Sequence, residues 1–312
     1  MTGFPQDWPP ALRAFVSGAD PAGTWARVAY LVAVLGQDGL PAGEEGLELA
    51  ALILQGCGHL PAEAMARRLP GLRVEAASRI RAAAAPGRAL RQGPGEVEAR
   101  GVIPSHAGFF AVNVHRLRHR RFDGSLSPDL TREVFVVGDA VTVLPYDPWR
   151  DRVLLVEQFR MGPYGRGDPL PWQLEAIAGR IDPGETPEEA ARREAVEEAG
   201  LVLGVLEKVA EYYPTPGAVA EYLYSFVALC DLPDGVAGVF GSPDEAEDIK
   251  GHLLSFDRLV EVMAAGEIGN APLLLTVLWL QRERARLRGQ AGRDPADKAG
   301  GFTPPDPRGV FG

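Results

Sequence analysis

Residues 179–201 read GRIDPGETPEEAARREAVEEAGL, and the organisation of the whole chain can be worked out from this segment. Thr186 is a natural N-cap, Pro187 suits the first helical position, and Glu189 completes a capping box. Gly200 suits the C-terminal stop, where the backbone turns left-handed. A helix of about three and a half turns is expected between them. On it Glu194 and Glu197 are i, i+3, and Glu194 and Glu198 are i, i+4, so their carboxylates leave one side of the helix together. Like charges at that spacing repel by about 0.2–0.5 kcal/mol per pair. Hard divalent cations offset the repulsion, because oxygen-rich sites suit Mg²⁺ or Mn²⁺. Taken alone, the glutamates also fit a solvated acidic face. Ala190, Ala191 and Ala195 keep the rest of the helix small, so it can pack closely.

Upstream of this helix the pattern is that of strands. Val97–Ile103, Phe109–Arg118, Val134–Leu144 and Val153–Phe159 are expected to be extended, with turns at Pro104–Gly108 and Asp147–Pro148. Downstream, Phe256–Ala265 and Ala271–Arg288 read as helices. The first part of the chain is helical in pattern: Pro21 to about Gly36, Glu44–Gln55, Pro61–Arg68 and Val74–Ala84. The stretch APGRALRQGPG at 85–95 reads as a linker. This gives a helical extension at 1–95, a domain of strands and helices at 96–290, and a polar tail at 291–312 that is expected to be disordered.

Composition agrees. A chain of 312 residues suits about two domains. Its 46% hydrophobic and 24% charged residues are ordinary for a globular protein. No apolar run approaches the ~20 residues that span a bilayer. The N-terminus lacks the pattern of a signal peptide. With only Cys57 and Cys230, no disulfide framework is expected, which suits the cytoplasm. The formal charge is −10. Residues 1–95 carry 9 Arg, no Lys and 8 acids, so the rest of the chain holds 23 basic against 34 acidic residues. Neither part is a basic nucleic-acid binder, and an acidic domain acting on an anion needs cations between the two. Cys57-Gly58-His59 reads as a structural thiol beside a loop histidine. His115 and His119 lie about 13 Å apart on a strand, too far for one metal.

The full pattern G-x5-E-x7-R-E-x2-E-E-x-G is carried by Gly179, Glu185, Arg193, Glu194, Glu197, Glu198 and Gly200. It resembles the signature of the Nudix hydrolases at every fixed position, with Ala195 where a larger aliphatic is often found. The resemblance implies an α/β/α sandwich with a mixed sheet, in which a loop–helix–loop holds metals. It also implies hydrolysis of a nucleoside diphosphate linked to another moiety. Over about 96–290 the chain resembles the ADP-ribose pyrophosphatases in particular. The likeness rests on QLEAIAGR at 173–180, Pro216 fifteen residues after Leu201, Arg132–Leu144, Val153–Met161 and Glu245–Trp279. Within that subfamily the chain resembles the bacterial proteins associated with tellurite resistance. Residues 1–95 fall outside the resemblance.

Carried over, the resemblance implies that Glu194 and Glu198 ligate Mg²⁺ with the Ala178 carbonyl, and that Glu197 supports them. Arg193 would hold the acids in place, with an i, i+4 ion pair to Glu197 as the simpler alternative. Glu185 would be a structural acid and Glu175 would lie near the metals. Arg160 would contact the diphosphate, and Phe109 or Phe110 would stack on adenine. Arg132, Pro216 and Gly217 fall in the substrate-binding segments. The general base would lie in GSPDEAEDIK, with Glu245 as first choice, Glu247 as alternative and Glu197 next. Two departures concern the substrate. Gly217–Glu221 reads GAVAE where the subfamily has GGTSE, and Val136 replaces a frequent glutamate. The expected reaction is Mg²⁺-dependent cleavage of ADP-ribose to AMP and ribose 5-phosphate, Mn²⁺ being a substitute. Another nucleoside diphosphate sugar such as GDP-mannose is the alternative. An ADP-ribose-sensing module is a weaker one, because the box glutamates are all present. A homodimer through about 96–145 is also implied, with no nucleic-acid or membrane partner.

Overall fold

The computed structural model describes residues 4–5, 8–17, 21–36, 38–84, 90, 95–241 and 247–291. The chain divides into two compact units. The first holds Met1–Asp139, Ile181–Gly184 and Thr215–Tyr222, and the second holds Ala140–Arg180, Glu185–Pro214 and Leu223–Gly312. The expected tail lies almost wholly outside the described residues.

The first unit begins with helices α1 (Pro10–Val16), α2 (Pro21–Leu35), α3 (Gly43–Gln55), α4 (Ala62–Ala66) and α5 (Leu69–Ala84). They close on a core that includes Leu12, Val28, Leu31, Leu49, Ile53 and Leu72. Helix α5 starts five residues before the expected Val74. Pro70 falls in its first turn, where the missing N–H is not needed. Strands β1 (Val97–Ala107) and β2 (Ala111–His119) form an antiparallel hairpin, and β2 pairs antiparallel with the start of β3 (Leu130–Asp147). Strand β1 runs on through Pro104, which sits at a register shift that tolerates a residue without an N–H. Phe109 and Phe110, expected at a strand start, lie in the hairpin turn instead.

Helix α5 is seated on β3. Gly138 has φ +101°, and a Cβ there would come 2.8 Å from Val74 Cγ1. The next residue, Asp139, is buried and accepts hydrogen bonds from Ser78 Oγ and Arg81 Nε, each at 2.6 Å.

The second unit takes the rest of β3 and adds β4 (Arg152–Phe159), α6 (Met161–Arg166), β5 (Trp172–Glu175), β6 (Ile177–Arg180), α7 (Pro187–Ala199) and β7 (Leu206–Tyr212). There follow β8 (Val219–Leu229), β9 (Val239–Phe240), β10 (Ile249–Ser255), α8 (Phe256–Ala264) and α9 (Ala271–Ala291). The pairs β3·β4, β3·β6, β4·β5, β4·β10, β9·β10 and β7·β8 run antiparallel. The β3·β8 pair runs parallel: Thr142 Oγ1 meets Ser225 Oγ at 2.7 Å and, further along both strands, Cys230 N donates to Tyr146 O at 3.1 Å. The sheet is therefore mixed, as expected. From Val141 to Asp147 strand β3 is buried without alternation, the mark of a central strand covered on both faces. The core gathers Leu144, Leu155, Val227, Leu259, Leu273 and Val277.

The β3–β4 turn contains Asp151 at φ +57°. Its carboxylate takes the Tyr146 hydroxyl at 2.8 Å and the guanidinium groups of Arg284 and Arg288 on α9. Among the described residues no helix is long and apolar enough to cross a membrane.

Candidate active site

Helix α7 begins as its sequence dictates. Thr186 Oγ1 accepts from Glu189 N at 3.2 Å, and Thr186 N donates to Glu189 Oε2 at 2.8 Å. Gly200 ends it at φ +62°. Ala190, Ala191, Ala195 and Ala199 are buried and seat the helix. Their small size turns the glutamates into a graded row. Glu198 is 2% exposed, while the side chains of Glu194 and Glu197 are 13% and 49% exposed.

Glu198 points its carboxylate at the Ala178 N–H, 3.2 Å away, and at Gln158 Nε2, 3.4 Å away. These two donors do not offset its loss of water. Burial pushes the carboxyl up to about 8, and the negative charges of Glu194 and Glu247 add to the shift. The Ala178 N–H and the Arg160 charge oppose it. Burial also raises Glu194, with Glu197 and Glu247 adding and Arg193 opposing. Glu194 packs directly over β6. A Cβ on Gly179 would lie 1.7 Å from Glu194 Oε1, so only glycine leaves room for the carboxylate there.

Arg193 does more than form an i, i+4 pair. Nε and Nη2 grip both oxygens of Glu185, at 2.8 and 3.0 Å. Nη1 donates to Glu194 at 2.7 Å and to Glu197 at 3.1 Å. The second Nη2 hydrogen goes to the Arg180 carbonyl at 3.0 Å. All five N–H donors of the fork are used. The carboxylates around it, Glu185 foremost, hold its pKa above the ordinary value for arginine.

Arg160, at the N-terminus of α6, binds Glu175 Oε2 through Nε at 2.8 Å and Nη2 at 2.7 Å. Glu247 precedes β10, and its charge acts on both Glu194 and Glu198. Gly241 lies close to Glu247: a Cβ there would meet the Glu247 carbonyl oxygen at 2.8 Å. Glu245 lies outside the described residues. These groups belong to the second unit. Phe109, Phe110, Arg132, Pro216 and Gly217 belong to the first. There Phe110 packs between Phe109 (4.8 Å, edge-on) and Phe135 (4.9 Å), and Phe109 remains 76% exposed. Arg132 is exposed and donates to the Thr131 carbonyl at 2.8 Å. Glu221, the last residue of GAVAE, has its carboxyl raised by burial.

Gln158 was not anticipated. It is the buried polar residue of β4 (RVLLVEQF), in which Arg152 and Glu157 are only partly buried, and a neutral amide just past the apolar run VLLV is the signal that marks it. Among the described residues no three His, Cys, Asp or Glu side chains already converge on one point. Arg193 draws Glu194 and Glu197 to itself. The donor set still fits a hard divalent cation: carboxylate oxygens with raised proton affinity, one of them buried and, among the described residues, in no ion pair.

Residues 137–276 match the family model of the NUDIX domain. The ADP-ribose pyrophosphatase of Escherichia coli (strain K12) is 38% identical over 185 residues, 59% of this chain and 88% of that protein. The ADP-ribose pyrophosphatase of Haemophilus influenzae is 34% identical over 195 residues, covering 62% and 89%. The GDP-mannose pyrophosphatase of Enterobacter sp. (strain 638) is 34% identical over 150 residues, covering 48% and 77%.

Proposed function

The chain belongs to the Nudix family, and on that footing we propose that it hydrolyses the diphosphate of ADP-ribose, giving AMP and ribose 5-phosphate, with Mg²⁺ as its metal. The observation that carries the proposal is the buried carboxylate of Glu198 beside Glu194. Both carry a raised proton affinity that a bound cation would relieve. The two ADP-ribose pyrophosphatases aligned over most of their length support the substrate.

Glu194 and Glu198 would hold the metal, with the Ala178 carbonyl and Glu197 completing the set. When bound, Mg²⁺ would supply positive charge to offset the diphosphate oxygens and would make the attacking water more acidic. The protein's own groups do the rest. Arg193 keeps Glu194 and Glu197 from splaying apart. Arg160, oriented by Glu175, offers its exposed guanidinium edge to the diphosphate. Glu247 or its loop neighbour Glu245 takes the proton of the attacking water. What supports Glu247 is its electrostatic reach to both Glu194 and Glu198. The Phe109–Phe110–Phe135 cluster, left exposed on the first unit, is the proposed stacking surface for adenine and part of a homodimer contact. The free Cys57 and Cys230 suit a cytoplasmic protein.

GAVAE in place of GGTSE, together with the GDP-mannose relative, keeps a second sugar nucleotide in view. ADP-ribose and GDP-mannose are to be compared at equal concentration with Mg²⁺, Mn²⁺ or EDTA, with products separated by ion exchange. AMP and ribose 5-phosphate formed only with metal are expected. Faster cleavage of GDP-mannose, or cleavage undiminished by EDTA, would refute the proposal.

A further inference from the structure

We propose that helix α5 of the N-terminal segment positions the glutamate box, acting through Asp139 and the peptide group that joins Arg180 to Ile181. The inference rests on the function proposed above.

Asp139 is 3% exposed. A carboxylate taken out of water needs charged or hydrogen-bonding partners, and α5 supplies two of them: Ser78 at 2.6 Å and Arg81 at 2.6 Å. The contact is a built seam. Val74, which meets the bare face of Gly138, and then Ser78 and Arg81 are spaced i, i+4, i+7, a single stripe of the helix.

The backbone carbonyl of Asp139 accepts the N–H of Ile181 at 3.1 Å. The other end of that same peptide group is the Arg180 carbonyl, which accepts Arg193 Nη2 at 3.0 Å. A peptide group is planar and stiff, so whatever fixes its N–H also aims its C=O. Arg193 spends its remaining donors on Glu185, Glu194 and Glu197. An unbroken run of fixed groups therefore leads from α5 to the carboxylates. Ile181–Gly184 belong to the same compact unit as α5, while their covalent neighbours Arg180 and Glu185 belong to the other. Ser78, Arg81 and Asp139 touch no reacting atom and are positioning residues.

The test uses the full chain. The double variant Ser78→Ala/Arg81→Met removes both α5 partners of Asp139 and leaves the box sequence intact. Arg79→Met is the comparator, because Arg79 bridges Glu48 (3.1 Å) and Glu75 (2.9 Å) within the helical segment. Each is followed by thermal unfolding, by Mn²⁺ binding in an electron-paramagnetic-resonance titration, and by steady-state kinetics. The double variant is expected to bind Mn²⁺ about tenfold to a hundredfold more weakly, with kcat falling alongside and KM nearly constant. Arg79→Met should lose thermal stability but keep Mn²⁺ affinity and kcat. The conservative pair Ser78→Thr/Arg81→Lys should recover most of the Mn²⁺ affinity. Unchanged Mn²⁺ affinity in the folded double variant would overturn the proposal, as would an equal loss in Arg79→Met. Should the double variant not fold, Ser78→Ala alone decides, since it keeps the Arg81 ion pair: weaker Mn²⁺ binding supports positioning and unchanged binding refutes it. A wild-type protein that binds Mn²⁺ yet cleaves no sugar nucleotide sinks the functional reading only, and the Mn²⁺ comparison still decides the positioning role.

Discussion

Gly179→Ala separates the site from the fold. A Cβ at 179 would lie 1.7 Å from Glu194 Oε1, 1.9 Å from its Cδ and 2.6 Å from its Cγ. Ordinary contact begins near 3.4 Å, so the end of the Glu194 side chain has to move by more than about 1.5 Å, well beyond the tolerance of a metal ligand. In moving it gives up its 2.7 Å bond to Arg193. With Glu194 in its proposed role as a ligand, the displacement should weaken divalent-metal binding about tenfold to a hundredfold, with activity falling in step. Stability should behave differently. Gly179 does not require a left-handed backbone, so alanine restricts the unfolded chain and contributes about 0.4–1 kcal/mol. An off-rotamer Glu194 costs about 0.5–1.5 kcal/mol. The net change is within about 1 kcal/mol. Urea unfolding of the metal-free protein and Mn²⁺ titration of the same sample measure both quantities. A variant that binds Mn²⁺ and turns over within about threefold of wild type, a difference of less than 1 kcal/mol, would refute the packing argument. So would one destabilised by more than about 3 kcal/mol, which would mean that β6 and not the side chain had moved.

Glu198→Gln should cut hydrolysis more than about a hundredfold and leave the fold intact. The folded carboxyl titrates near 8 and the unfolded one near 4.5, so the metal-free native state holds an extra proton between those values and loses stability as pH rises through them. Relative to Glu198→Gln, the metal-free wild type should therefore weaken progressively from about pH 4.5 to 8 and then level off, by at most about 5 kcal/mol at about 1.4 kcal/mol per tenfold change in proton affinity. Urea unfolding across that range checks it, and a variant less stable than wild type at pH 8 contradicts it. Whichever of Glu245→Gln and Glu247→Gln removes the base should lower kcat about 10²–10⁴-fold with KM little changed, partly rescued at high pH. If neither loses more than about tenfold in single-turnover assays, the base lies elsewhere and Glu197 is next. Thr186→Ala removes the cap of α7 and should cost about 1 kcal/mol in urea unfolding. A loss under about 0.3 kcal/mol would show that packing alone defines that helix start.

What could be read from the sequence was local. The start, end and acidic side of α7 follow from residues within a few positions of one another, and they stand in the structure as their spacing requires. Helix α6 has no such signal. Its MGPYGR carries two glycines and a proline, and it forms where Arg160 leaves β4 and Gly167 closes the turn at φ +87°. Helix α1 was missed because Pro9-Pro10 reads as a breaker, although Pro10 occupies the first helical position. Partners distant in sequence were invisible. Asp139 finds Ser78 and Arg81 across 61 and 58 residues, and Gln158 meets Glu198 across 40. Spacing alone offered Arg193 only its i, i+4 neighbour Glu197, and its role in holding the acids came from the resemblance, because Glu185 lies in the loop before the helix and the Arg180 carbonyl at the end of β6.

The left-handed turn at Asp151 has a consequence for the order in which the chain folds as it is made. The N-terminal helices draw their core from Trp8 to Ala76, so a ribosome has supplied everything they need early in synthesis. The second unit is different. Asp151 waits 133 residues for Arg284, and the same late helix brings Leu273, Val277, Leu280 and Leu287 into the core. A nascent chain halted before residue 273 should therefore show protease-resistant helices at its front and an unprotected sheet behind them. The catalytic half of the molecule is therefore expected to fold last, with its apolar strands open to aggregation until α9 emerges.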